Sequence, residues 1–392
     1  MLTPLHFDPT TANAELAEAV VGSYAFSATL AIQDITGLAA SGVTASHIAK
    51  RLEGSAESDA HLFALCTTAQ PRPVGTLFYP EITLGDITNI DAWILISLPK
   101  LEDTRVIEAT ITLDSEIAPF PGEPLPSAPY THALALIDDL SDTFDRPIRH
   151  VWVTTSPLGA TSVDTERADS NGNRDADDPT HPDSFLRDAG YTPAYAETQA
   201  TFSLESVEPH STRVTEEISI VRNMDFDPDD LPSFRALLTS ASKNYPRGEL
   251  ILDTVEWTEQ RVRDAGARLL DRGGNQLTAL IRTRPDDKAS TGKEGADKAG
   301  TDIIGMAEAV HYDSDADSLM ELGLVYVHPD HRNQGNATRL LHAILAAAKT
   351  EWPELTTGYS SHPADSQAAE ALLAHYNPEV ISISTAWQKS RS

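Results

Sequence analysis

Apolar and polar positions along the second half of the chain alternate between two periods. A short apolar run at 217–223, "EISIVRN", predicts a strand. Helical spacing follows over 230–242, "DLPSFRALLTSAS", and over 258–273, "TEQRVRDAGARLLDRG". The latter is apolar at Val262, Ala265, Leu269 and Leu270 and is stopped by Gly273 and Gly274. Three strand-like runs come next, "QLTALIRTR", "DIIGMAEAVHY" and "LMELGLVYV". The helix "ATRLLHAILAAAKTEW" carries one apolar stripe, Leu340, Leu341, Ile344, Leu345 and Ala348. A short strand "LTTGYS", a helix "DSQAAEALLAHY" and a strand "VISISTAWQ" close the series. The predicted order is β-α-α-β-β-β-α-β-α-β.

The first half repeats that order more faintly. Helices are predicted at "AELAEAVVGSYAFSATLAIQ" and "ASHIAKRLE", and strands at "HLFALCTT", "PVGTLFYPE" through "AWILISLP", and "VIEATITLD". The helix "HALALIDDLSDTF" precedes the strand "RHVWVTTS", and "SFLRDAGYTPAYAETQATFSL" gives a short helix, a Gly turn and a last strand. Two α+β domains of similar build are therefore expected, residues 1–205 and 216–392, with the boundary at 205–216. Segments 156–184 and 285–302 are rich in Gly, Ser, Asp and Lys and lack aromatics. They predict flexible insertions, one in each domain.

A chain of 392 residues exceeds one ordinary core, which agrees with a two-domain reading. With 59 Asp and Glu against 29 Lys and Arg, the formal charge is −30 and no basic run interrupts it. Nucleic acid and anionic membranes are thus excluded as expected partners. The single cysteine, Cys66, excludes an intrachain disulfide and a CxxC metal site, and its apolar neighbours predict an inert, buried thiol. The opening stretch has no charged segment followed by an apolar one, and no run approaches the roughly 20 apolar residues of a membrane helix. A cytoplasmic protein is expected.

The informative stretch is "VHPDHRNQGNATRLLHAIL", 327–345, where a buried strand breaks into a polar turn and restarts as a helix. Arg332, Asn333, Gln334, Gly335, Asn336, Ala337 and Thr338 then span the start of that helix. Its first amides have no intrahelical partner, and with the helix dipole they favour an anion such as phosphate. Gly335 and Ala337 leave room for phosphate to reach the backbone. Neither the G-x-G-x-x-G of a dinucleotide fold nor the G-x-x-x-x-G-K-[ST] of a nucleotide-hydrolysing loop is present.

This stretch resembles the pyrophosphate loop of the GNAT superfamily of acyl-CoA N-acyltransferases, [Q/R]-x-x-G-x-[G/A], with Arg332, Gly335 and Ala337 at its three fixed positions and Pro329 in the usual lead-in. The segment "NYPRGELILDTVEWTEQRVRDAGARL" looks like a tandem-GNAT group of actinobacterial type. The resemblance implies two GNAT-like domains, each a mixed, mostly antiparallel central sheet flanked by helices, with splayed central strands. It also implies acetyl-CoA or another acyl-CoA as cosubstrate, its pyrophosphate on residues 327–338 and its pantetheine arm along Leu324, Val325, Tyr326 and Val327.

Transfer to an amine needs a base, oxyanion donors and an acid for the leaving thiolate. Glu321, 11 residues before Arg332, is the candidate base, and strand alternation also allows it to be an ordinary solvent-facing residue. Tyr376 is the candidate acid by resemblance, although the family's Y-x-x-x-G-F is replaced here by "YNPEV". It could equally anchor the helix end, with Tyr359 and Tyr326 as alternatives. The histidines, His311, His328, His331, His342, His362 and His375, show no metal spacing, and His328 and His331 read as turn residues able to touch phosphate. The first half carries three prolines and a Gly where the loop should lie, so its domain is expected to be a degenerate repeat without cofactor binding. The reading is an N-acetyltransferase acting by direct transfer in a ternary complex on a small-molecule or peptide amine, as a monomer or homodimer. A non-catalytic acyl-CoA-binding regulator and a mycothiol-synthase-like acyltransferase are the alternatives.

Overall fold

A computed structural model describes residues 2–67, 72–120, 122–157, 181–205, 207, 218–283, 302–312 and 319–391. The expected insertions at 156–184 and 285–302 lie largely outside these ranges, as does most of the boundary expected at 205–216. The described chain forms two compact units. The first comprises Met1–Glu197, Arg247–Asp253 and Ile381–Ser392; the second comprises Thr198–Pro246 and Thr254–Val380.

In the first unit, strands β1 (Thr3–Phe7), β2 (Ser58–Cys66), β3 (Ile90–Pro99), β4 (Val106–Leu113) and β5 (Ile148–Thr155) lie side by side. The order continues through the C-terminal strand β12 (Glu379–Ser390) to β6 (Thr192–Ser203). All the pairs from β1 to β12 are antiparallel except β4–β5, which run parallel. Helices α1 (Ala14–Thr36) and α2 (Ala45–Leu52) cover one face, and α3 (Ser127–Thr143) and α4 (Asp183–Asp188) the other. The alternation along β3 shows why: Trp93 and Leu95 enter the α1–α2 core, while Ile94 and Ile96 enter the α3–α4 core. A strand buried on both faces reads as a continuous apolar run.

Two details depart from the sequence reading. Strand β1, "TPLHF", is not heralded by any long apolar pattern, and the stretch "PVGTLFYPE" is not a strand. It holds one antiparallel bridge, Val74 to Pro80, around a short 3-10 turn at Thr76–Phe78, with Leu77 and Phe78 at positive φ. Pro73 and Pro80 have no N–H to give a ladder, so the apolar residues between them form a turn instead.

The second unit repeats the plan. Its sheet runs from the end of β6 through β11 (Thr357–Pro363), β10 (Leu319–Val327), β9 (Ile303–Tyr312) and β8 (Gly274–Arg282) to β7 (Ile218–Arg222). Helices α5 (Leu231–Asn244) and α6 (Glu259–Asp271) pack on one face with Leu280, Met306 and Tyr326. Helix α7 (Asn336–Glu351) packs on the other through Leu340, Leu341, Ile344, Leu345 and Ala348, against Ala279, Ile281, Ala307 and Ala309. Helix α8 (Gln367–Leu373) adds Leu373 to that second core. Among the described residues both halves follow the order predicted for the second, with β1 added to what the first half predicts.

Gly358 on β11 is required by packing: a Cβ there would lie 2.4 to 2.9 Å from three carbons of the Phe202 ring. Gly358→Ala is expected to destabilise the chain by about 1–3 kcal/mol, read as a lower urea midpoint with an unchanged slope.

Candidate functional site

The site begins where two central strands part. Strand β10 pairs with β11 in parallel from Leu319 and Thr357 as far as Leu322 and Ser360, yet β10 continues to Val327 and β11 to Pro363. On its other edge β10 slips register: Leu322 faces Ala309 and Val325 faces Ala307, so Gly323 and Leu324 together oppose Glu308. That extra residue is a β-bulge, which bends the strand and helps turn it away from β11. A Cβ at Gly323 would sit 3.1 Å from Glu308 Cβ and 3.3 Å from its Oε2, so any larger residue there would crowd Glu308.

The gap holds a cleft of about 520 Å³, lined by Leu322, Gly323 and Val325–Val327 on one side and Ser360–Pro363 on the other. Ala368, Ala369 and Leu372 of α8 form a third wall, and the start of α7 a fourth. Its size lies in the range of small-ligand sites, and its mixture of apolar walls and a few polar groups is typical of them.

The loop into α7 is built by its own side chains. Arg332 Nε donates to the Val327 carbonyl at 3.0 Å, and its guanidinium lies 5.6 Å over the Tyr326 ring. The Tyr326 hydroxyl is 2.9 Å from Ser240 Oγ on α5. Asn333 at φ 61 and Gly335 at φ 74 turn the chain into the helix. Asn336 Nδ2 donates to the His331 carbonyl at 3.0 Å and ties the turn shut. The first helical bond is Arg339 N to Gly335 O, 3.0 Å, so the amides of Asn336, Ala337 and Thr338 precede the helical ladder.

Of the residues predicted to hold cofactor, Val325, Tyr326, Val327, Arg332, Asn333, Gly335, Asn336, Ala337 and Thr338 line the cleft, and His331 joins them. Gln334 does not, and neither does Leu324. The Leu324 side chain packs with the α5–α6 core, and its amide lies 3.4 Å from Glu308 Oε2.

Glu308 is the residue that sequence reasoning passed over. It sits on β9 between two buried alanines, and Gln276 Nε2 donates to its Oε1 at 3.1 Å. Burial pushes its carboxyl up to about 7, with the charge of Glu321 acting in the same direction. The Leu324 amide and Gln276 oppose that rise. Glu321 itself is exposed, opposite Val310 and Tyr359, and does not line the cleft. Glu308 does not line the cleft either; it lies behind Gly323, which does. A Glu beside alanines carries no signal by itself; only the register brings Gly323 against it.

Tyr376 lies outside the cleft. Its hydroxyl is 2.9 Å from His342 Nδ1 on α7, its ring packs 5.8 Å from that of Phe202, and burial raises its hydroxyl above the ordinary tyrosine value. Ser360, by contrast, was not singled out by sequence. It lines the cleft, is 2 % exposed, and its Oγ has no hydrogen-bond partner.

The first unit shares the parting of parallel strands, since β4 pairs with β5 only from Val106 and Ile148 to Thr110 and Trp152 while the strands run on to Leu113 and Thr155. It lacks the bulge on the other edge. Strand β4 pairs with β3 in unbroken register. After it the buried Asp114 carboxylate accepts bonds from Trp93 Nε1, Ser27 Oγ and the Glu116 amide, each at 3.1 Å. Helix α3 starts after Pro126, and Pro129 removes another amide from its first turn. Among the described residues no group of three or more His, Cys, Asp or Glu could hold a metal ion, and no helix is long and apolar enough to cross a membrane.

Comparison with known proteins agrees with this geometry. Residues 242–372, which contain the loop and most of the cleft, match the acetyltransferase (GNAT) family. No curated protein matches the chain by sequence. Among solved structures the chain is similar to a tandem GNAT protein from the clavulanic acid biosynthesis pathway. The two share 15% identity at a TM-score of 0.63, over 100% of this chain and 98% of that one. It is also similar to a GCN5-related N-acetyltransferase from Sphaerobacter thermophilus, at 13% identity and a TM-score of 0.56, over 99% and 95%. At such identities the likeness is one of fold, and it extends over both units.

Proposed function

The chain carries an acetyltransferase domain of the GNAT family at residues 242–372, and from that premise we propose that it is an acyl-CoA-dependent N-acyltransferase whose cosubstrate binds in the cleft of the second unit. The single observation carrying this reading is the coincidence of the β10–β11 parting with the free amides of Asn336, Ala337 and Thr338 in one cleft. The amides and the dipole of α7 take the pyrophosphate. The backbone of β10 beyond Leu322, no longer paired to β11, takes the pantetheine arm. Glu308 serves as the base, with burial, and after it the charge of Glu321, keeping its affinity for a proton high, and the attacking amine belongs to a small molecule or peptide. The net charge of −30 favours a cationic acceptor. Transfer is direct: Cys66 is buried on β2 of the first unit, and no cysteine lines the cleft. The first unit, with no bulge on β4 and with Pro126 and Pro129 at the start of α3, acts as a structural partner that binds no acyl-CoA.

The engagement of Tyr376 with His342 supports a second reading, an acyl-CoA-binding protein without turnover. One experiment separates them. The full chain is titrated calorimetrically with CoA and acetyl-CoA, and thiol release is then followed with a panel of amines. Binding with amine-dependent release supports the transferase. Binding alone, unchanged by Glu308→Gln, supports the sensor, and no binding rejects both.

A further inference from the structure

Ser360 lies at the last parallel pair between β10 and β11, opposite Leu322, at the point where the two strands separate. It is 2 % exposed, lines the cleft, and leaves its Oγ without a hydrogen-bond partner. A buried hydroxyl with no partner is costly and rare, and a site that keeps one has a place for a ligand atom to receive it. Ala368 and Ala369, with short side chains, line the same cleft. Tyr376, the side chain that resemblance would have placed on the leaving sulfur, is turned to His342 instead.

Resting on the acyl-CoA reading above, we propose that the Ser360 hydroxyl is the hydrogen-bond donor to the coenzyme's sulfur, stabilising the thiolate as it leaves. The amine nitrogen bonds the acyl carbon, the carbon–sulfur bond breaks, and its electron pair goes to sulfur. The proton lost by the amine passes to the Glu308 carboxylate. Ser360 gives up no proton: it donates a hydrogen bond, which is stronger to a thiolate than to a thioester sulfur because the charge resides there only after cleavage. The same bond is present in the complex with free CoA, so it can be measured without knowing the acceptor.

The test compares CoA with desulfo-CoA, which lacks the sulfur, by calorimetry on the full chain, and follows ionisation of the bound CoA thiol by its ultraviolet absorbance against pH. In the unaltered protein CoA in its thiolate form should bind roughly tenfold more tightly than desulfo-CoA, as a hydrogen bond to a charged group would give. Ser360→Ala should abolish that preference and raise the pKa of the bound thiol while leaving desulfo-CoA affinity unchanged. Ser360→Thr, which keeps the hydroxyl, should retain the preference. Should Ser360→Ala keep both the preference and the thiol pKa, or weaken CoA and desulfo-CoA equally, the assignment is overturned. If the unaltered protein binds neither compound, the acyl-CoA reading falls and this one with it.

Discussion

Glutamate in place of Gly335 is expected to lower the affinity of the full chain for CoA by about 100-fold. Gly335 caps α7 at φ 74, and nothing lies within 4 Å of where its Cβ would be, so the side chain meets open space at the cleft. A carboxylate there stands beside the Asn336, Ala337 and Thr338 amides and competes with a diphosphate for them. One unit charge against another at 5–6 Å, at an effective dielectric near 20, costs about 3 kcal/mol, which is roughly the 100-fold stated. Left-handed geometry adds a folding penalty of about 1–2 kcal/mol, visible as a lower melting temperature, without itself weakening the ligand. Gly335→Asn separates the two effects. Asparagine tolerates φ near 74 and brings no charge, so its CoA affinity should stay within a few-fold of the original. Calorimetry on both variants decides, and a glutamate variant that binds CoA as well as the asparagine one would remove the pyrophosphate from this loop.

That prediction could be framed from sequence because a helix N-terminus is a local object. Pro329, Arg332, Gly335 and Ala337 lie within nine residues, and the hydrogen bonds that shape the turn run between Val327 and Arg332 and between His331 and Asn336. Periodicity likewise yields the order of elements in the second half and, apart from β1 and the turn at 73–81, in the first, since each strand or helix buries its own face. Features that depend on register across strands left no such trace. The slip at Gly323 and Leu324 is set by what β9 presents, and Glu308 acquires its neighbours only once β8, β9 and β10 are aligned. The unpartnered Ser360 hydroxyl is equally a product of where pairing stops. Nor does any local pattern announce that 247–253 and the strand after Val380 belong with the first unit. There Gly248, at φ 55, lets the chain approach β6 so closely that a Cβ would lie 2.3 Å from the Ala194 carbonyl oxygen.

Neutralising Glu308 tests the chemistry as distinct from the binding. Glu308→Gln keeps the shape and the bond to the Leu324 amide but cannot accept the amine proton, and loss of a general base costs about 100- to 10,000-fold in rate. CoA affinity should be preserved, since the residue lies behind Gly323 and does not line the cleft. The carboxyl is pushed up to about 7, so kcat/KM in the unaltered protein should rise with pH through an acidic limb near that value and level off above it. Glu321→Gln removes a neighbouring negative charge that raises Glu308, so the limb should move to lower pH with the plateau largely retained. Stability gives an independent reading of the same group. Because the folded-state value is raised above the ordinary 4.5, the fold favours the protonated form. The resulting destabilisation sets in as pH climbs from 4.5 and is complete above about 7. Glu308→Gln should therefore raise the melting temperature at pH 8 relative to the unaltered protein and change it little at pH 4. If the limb persists near 7 in Glu308→Gln, or its rate stays within a few-fold of the original, the base is another residue, and Glu321 becomes the one to examine.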